Sequence, residues 1–117
     1  MDDCIFCNIV KGEIPSDKIL ENENFLAFLD IHPEVEGHTL VVPKEHFETI
    51  LDFDSSLSKE LIDFIKEVYE ILNKKFNSTG FNLVQNNFKS AGQIVDHIHF
   101  HILPRRENDG RVLSLKK

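Results

Sequence analysis

The amino-acid sequence predicts an α+β fold, an antiparallel five-stranded sheet with one long helix and a short N-terminal helix. Three observations predict it. Short runs rich in β-branched and aromatic residues recur between turn residues, as strands do. One segment, from about Ser56 to Phe76, carries the i, i+3, i+4 apolar stripe of an amphipathic helix. Near the C-terminus His97-Ile98-His99-Phe100-His101-Ile102 alternates with a period of two, the period of a strand with unlike faces.

Taken in order, residues 4–11 read as the short helix, with Asp2 and Asp3 as acidic caps and Gly12 as its stop. Glu13 to Ser16 is a turn around Pro15. A strand near 17–21 and a second over Phe25 to Asp30 form a hairpin joined around Glu21 to Asn24. Ile31 to Gly37 is a loop. His38 to Pro43 is a β-branched strand stopped by proline. In the long helix Leu57, Leu61, Phe64, Ile65, Val68, Leu72 and Phe76 form the stripe, which reads as core packing. Phe81 to Gln85 is a strand, and Asn86 to Gln93 a loop containing Ser90-Ala91-Gly92. The histidine strand follows, its Ile98, Phe100 and Ile102 facing the long helix. Arg105 to Lys117 is polar and expected to trail over the surface. A single domain over 3–110 with a tail over 111–117 is the simplest division.

Composition narrows the function. The 117 residues suit one core, and 41% hydrophobic content with ten phenylalanines can fill it. No apolar run reaches eighteen residues, and MDDCIFCNIV opens acidic where a secretory leader would open basic. A soluble, cytoplasmic protein is expected. The net charge of -7 argues against binding nucleic acid or an anionic membrane; Lys116 and Lys117 are too short a run to change that.

Two features carry chemistry. A strand would set His97, His99 and His101 on one face, and imidazole is the side chain that titrates near neutral pH. Such a row suits catalysis, or a metal such as zinc. The second feature is Cys4-Ile5-Phe6-Cys7, the chain's two cysteines. A C-x-x-C is a redox pair or half of a zinc site. Redox pairs usually follow a strand in a βαβ setting, which this N-terminus lacks. Zinc needs about two further ligands. His32 beside Pro33 reads as a solvent-exposed loop residue.

The segment Gly92-Gln93-Ile94-Val95-Asp96-His97-Ile98-His99-Phe100-His101-Ile102-Leu103-Pro104-Arg105 resembles the signature of the histidine triad (HIT) family of nucleotide hydrolases and transferases. Phe28-Leu29-Asp30-Ile31 and Gly37-His38-Thr39-Leu40-Val41-Val42-Pro43-Lys44-Glu45-His46 resemble it too, and Ile5-Phe6 with Ile14-Pro15 matches its opening. The likeness runs from residue 3 to about 105 and is greatest to the small histidine triad nucleotide-binding (Hint) branch.

The resemblance implies that His99 attacks the α-phosphorus of a nucleoside phosphoramidate or mixed anhydride, forming a nucleotidyl-imidazole that water cleaves. It implies that His101 and His38 donate on the phosphate side, with His97 the third triad histidine. Asp30 would take the ribose hydroxyls, and Asn86, Gly92, Gln93 and Ile94 would lie near the phosphate, Gly92 to Val95 through main-chain amides. Ile5, Phe6, Ile9, Phe28 and Ile31 would wall the base. Related branches pair an N-terminal C-x-x-C with two histidines, which here are His46 and His97, so the implied structural zinc ligands are Cys4, Cys7, His46 and His97. His97 is then an anchor and not a free acid or base. No catalytic metal is implied; a homodimer is. Where the family often has a serine, this chain has Ile94, so a hydroxyl that could bond the leaving group is missing. Two other readings stand beside the phosphoramidase: a dinucleoside polyphosphate hydrolase, and a nucleotide-binding interaction module with little turnover.

Overall fold

Phe25-Leu26-Ala27-Phe28 and Thr39-Leu40-Val41-Val42-Pro43 are apolar at nearly every position, so strands built from them must be covered on both faces. In the computed structural model, which describes residues 3–111 and Leu115, they are the second and third strands of a five-stranded sheet. The elements are α1 (Ile5–Val10), β1 (Lys18–Glu21), β2 (Phe25–Leu29), β3 (Thr39–Pro43), α2 (Ser58–Phe76), β4 (Gly80–Val84) and β5 (Phe100–Arg105). The strand order is β1-β2-β3-β5-β4, and every pairing is antiparallel.

The two faces bury different clusters. Phe25, Ala27, Val41, Ile98, Phe100 and Ile102 pack against Leu61, Phe64, Ile65, Val68 and Leu72 of α2, as the stripe predicts. Leu26, Phe28, Leu40 and Val42 point the other way and pack with Cys4, Phe6, Cys7 and Ile9 of the α1 segment. No helix among the described residues is long and apolar enough to cross a membrane.

Four expectations are adjusted. The N-cap of α1 is Cys4, whose Sγ accepts the Cys7 N–H at 3.4 Å; Asp3 precedes it and Asp2 lies outside the described residues. The long helix begins at Ser58, after a single 3-10 turn over Ser55–Leu57 capped by the Asp54 carboxylate.

The regular part of the histidine strand begins only at Phe100. Extending the pairing of Val41 with Phe100 would set Pro43 opposite Ile98, and proline has no N–H to offer. The Ile98 N–H donates instead to Phe47 O at 2.7 Å. The period of two nevertheless persists through residues 97–102, with Ile98, Phe100 and Ile102 on the α2 side.

Arg105 to Arg111 does not trail. The Arg105 guanidinium grips both Asp109 oxygens at 2.7 and 2.9 Å, Asn82 Oδ1 at 2.7 Å and Arg111 O at 3.0 Å. Asp109 also accepts the Arg111 N–H at 3.0 Å. The segment folds back as a hook, and of the expected tail only Arg111 and Leu115 fall within the described residues.

Candidate active site and metal centre

Strand register brings the site together. Phe28 pairs with Leu40, Leu40 with His101, and His101 with Val84, so one row crosses β2, β3, β5 and β4. Asp30 and His38 stand at the ends of β2 and β3, joined by an Asp30 N–H to His38 O bond of 2.9 Å. His99 and His101 sit beside them, their ring centroids 5.1 Å apart.

Carbonyls only accept and amides only donate, so the partners of each ring assign its protons. His99 Nδ1 lies 2.8 Å from His97 O and therefore carries its proton there, leaving a lone pair on Nε2. The Glu34 N–H donates to His38 Nδ1 at 3.0 Å, so neutral His38 is protonated on Nε2. That N–H donates to His101 Nδ1 at 2.9 Å, which sets the His101 proton on Nε2. The result is one bare imidazole nitrogen beside a two-histidine donor relay.

Burial is the main cause that pulls His38 and His99 below the ordinary histidine value. His101 is lowered to about 4 by burial and by the neighbouring His99 and His38. All three are neutral at pH 7. Asp30 accepts the His32 N–H at 2.9 Å through one oxygen, and the other lies 3.5 Å from His38 Nε2. Asp30, His38 and His101 offer ligand atoms close enough for a cation. However, the Glu34 amide holds the His38 proton on the nitrogen a metal would need, so the trio reads as a hydrogen-bonded relay.

The opposite tautomer logic holds around His97. Its Nε2–H donates to Pro43 O at 2.9 Å, which leaves Nδ1 bare at 3.4 Å from Cys4 Sγ and 3.5 Å from Cys7 Sγ. His46 Nδ1 lies 3.3 Å from Cys7 Sγ. These four ligand atoms lie within 4.8 Å of one another. Tetrahedral zinc, with bonds of about 2.3 Å to sulfur and about 2.0 Å to nitrogen, separates such S and N atoms by roughly 3.5 Å. The donor set fits a metal. Burial, and Cys4 beside it, push the Cys7 thiol up to about 11; a coordinated cation opposes that by favouring the thiolate. The two cysteines are free thiols.

Comparison with known proteins adds the family. The model of the HIT domain matches residues 11–108. The chain belongs to the HIT domain family. An uncharacterised HIT-like protein of Methanocaldococcus jannaschii is 53% identical over 114 residues, covering 95% of this chain and 85% of its own. An adenosine 5'-monophosphoramidase of Candida albicans is 39% identical, covering 89% of this chain and 71% of its own. Among solved structures, a Zn-bound histidine triad family protein from Mycobacterium smegmatis has a TM-score of 0.88 and 35% identity, covering 99% of this chain and 84% of its own.

Within this HIT fold the expected residues separate into groups. His38, His99, His101 and Asp30 come together, and Asn86 lines the same cavity as His38 and His101. Phe6 packs edge-on against Phe28 at 5.8 Å and His99 at 5.0 Å, and Ile9 is buried in the same cluster. Ile5 is half-exposed and lines a separate cavity with His46, Ile94 and Val95, and Ile31 and Ile94 are 82% and 90% exposed.

The phosphate-loop expectation changes most. The Gly92 N–H is taken by Lys89 O and the Gln93 N–H by Phe88 O. Neither amide is free for a phosphate, and Ile94 and Val95 line a cavity with Ile5, His46 and Glu48. The buried Gln93 side chain accepts from Phe88 N–H at 2.7 Å and donates to Glu48 O and Val95 O. It holds Phe88 at φ 73° and ψ 160°, a conformation otherwise nearly confined to glycine. Gln93 therefore builds the loop from inside. Sequence reading also missed Glu34, whose main-chain N–H sets the relay, and the Arg105–Asp109 hook; an Arg followed four residues later by Asp-Gly was the available signal for the hook.

Proposed function

We propose that this protein is a nucleotide hydrolase that cleaves purine nucleoside 5'-phosphoramidates or related α-phosphate bonds through a nucleotidyl intermediate on His99. The observation that carries the reading is the proton on His99 Nδ1, held by His97 O, which leaves Nε2 bare and neutral beside the His38–His101 donors. The likeness to an adenosine 5'-monophosphoramidase supports the substrate class.

In this reading the His99 Nε2 lone pair attacks phosphorus, and the bond to the leaving group breaks with its electrons passing to the departing atom. The His101 Nε2–H, backed by His38, donates a hydrogen bond to the phosphoryl oxygens, and the departing amine takes its proton from water. The hydroxide so formed attacks the nucleotidyl-imidazole, and the bond from phosphorus to His99 breaks with its electrons returning to Nε2. Phe6, Ile9 and Phe28 form the base wall with Ile5 at its edge, and Ile31 closes on the base from the exposed loop. Asp30 takes the ribose hydroxyls. Asn86 and the Ile94 and Val95 amides face the phosphate, while Gly92 and Gln93 shape their loop.

His97 takes no part in proton transfer in this reading, because both its nitrogens have structural partners. Cys4, Cys7, His46 and His97 would hold zinc, which when bound supplies a cross-link between α1 and the approach to the nucleophile. A homodimer is supported by the apolar edge strand β4, where Phe81 and Leu83 are exposed. A soluble, cytoplasmic protein fits the acidic composition.

The test is His99→Ala with adenosine phosphoramidate as substrate. Turnover should fall by roughly three or more orders of magnitude while AMP binding persists. Wild-type protein quenched during turnover should yield a peptide adenylylated at His99. Binding of AMP with no turnover of any phosphoramidate by the wild-type protein would leave the interaction-module reading in its place.

A further inference from the structure

The strand order indicates where the far end of a substrate can lie. With the base at Phe28 and the ribose at Asp30, a nucleotide starts on the β2 side, which α1 closes. With its phosphorus before β5, one open direction runs across β5 toward β4, and another leads to the cavity beside Ile94 and Val95. Toward β4 a cavity of about 300 Å³ opens beside His101, floored by Val84 and Leu103, with Asn86 in its wall and Glu34 and Arg111 at its rim. That volume lies at the lower end for a small-molecule pocket. We infer, resting on the hydrolase reading, that this cavity is a leaving-group subsite in which Arg111 selects leaving groups that end in a carboxylate.

The cavity lining carries two guanidinium groups, Arg105 and Arg111, and one carboxylate, Glu34; Asp109 neutralises Arg105, so Arg111 and Glu34 are the facing pair. Arg105 is fully committed to Asp109, Asn82 and the Arg111 carbonyl. Arg111 is different. Its main chain is fastened at both ends, by Asp109 on the N–H and Arg105 on the carbonyl, so its position on the rim is set.

The Arg111 side chain is only loosely engaged. Its Nη2 lies 3.8 Å from Glu34 Oε2, beyond hydrogen-bond length, with the two side chains 47% and 67% exposed. A carboxylate entering the cavity can take the guanidinium fork in two parallel bonds, which Glu34 does not. An ammonium-ended group would be repelled by Arg111 and would have to draw Glu34 away from it. The aliphatic floor suits the methylene chain between phosphorus and that end group.

The experiment compares three adenosine phosphoramidates of equal chain length, made from aminohexanoate, hexylamine and diaminohexane. Wild-type kcat/KM should be highest for the carboxylate-ended compound, by about tenfold over the neutral one, and lowest for the ammonium-ended one. In Arg111→Gln the carboxylate-to-neutral ratio should collapse toward one, and Arg111→Lys should restore part of it. Glu34→Gln should raise the ratio, since it removes the competing carboxylate and keeps the main-chain N–H that bonds His38. Equal wild-type efficiency on all three compounds, or a ratio that survives Arg111→Gln, overturns the inference while the hydrolase reading stands. Absence of turnover on all three overturns both.

Discussion

Each histidine of the site has a different partner, and the partner decides its task. A carbonyl on Nδ1 makes His99 a candidate nucleophile, an amide on Nδ1 makes His38 a donor, and a carbonyl on Nε2 turns the bare nitrogen of His97 toward two thiols. The same burial makes these rings a pH sensor for stability. His97 and His101 are lowered from the ordinary 6.5 to about 4, so the folded protein refuses protons that the unfolded chain takes. Stability of the metal-free protein should therefore be full above about pH 6.5 and fall as pH drops toward 4, by roughly 3 kcal/mol per histidine at about 1.4 kcal/mol per pH unit. Urea unfolding across that range checks it; a flat profile would mean that the rings are hydrated. The residues behind this were visible in the sequence as a period of two. Their tautomers were not, because Glu34 N–H and Pro43 O are main-chain groups that any residue type supplies.

The elements were legible wherever one periodicity governed them. The α2 stripe, the β1–β2 hairpin and the proline stop of β3 follow from side-chain patterning alone. The connections were less legible, because their form depends on contacts distant in sequence. Gly37, in the turn before His38, has φ 84°, and a Cβ there would stand 2.8 Å from the Phe76 ring at the end of α2. Gly37→Ala should then cost about 1–3 kcal/mol, through both the left-handed backbone and the displaced ring. Thermal unfolding measures it, and a neutral result would show that the loop relaxes freely. Gln93 illustrates the same limit. Its place in the signature suggests a phosphate loop, but its side chain is spent holding Phe88, Glu48 and Val95 together. The hook after β5 depends likewise on Asn82 of β4, which no local pattern predicts.

For the molecule as a whole, the Cys/His cluster joins the α1 segment to the segment before β5, ninety or more residues apart. Metal binding at such a cluster contributes directly to folding free energy. Cys4→Ser is an informative variant, since serine is itself a favoured N-cap and keeps that function while removing a thiolate ligand. Elemental analysis should find about one metal per wild-type chain and far less in the variant, with a lower unfolding temperature. Unchanged metal content would rule out Cys4 as a ligand. By itself the sequence determined the α+β class, the helix, the strands and the set of residues able to do chemistry, because periodicity and residue type are local properties. Only the tertiary structure decided which histidine holds a bare nitrogen toward substrate, which holds one toward sulfur, and what lies beyond His101. Those depend on main-chain donors and acceptors brought in from Glu34, Pro43 and the Arg105–Arg111 hook, and their proximity exists only once the strands have paired.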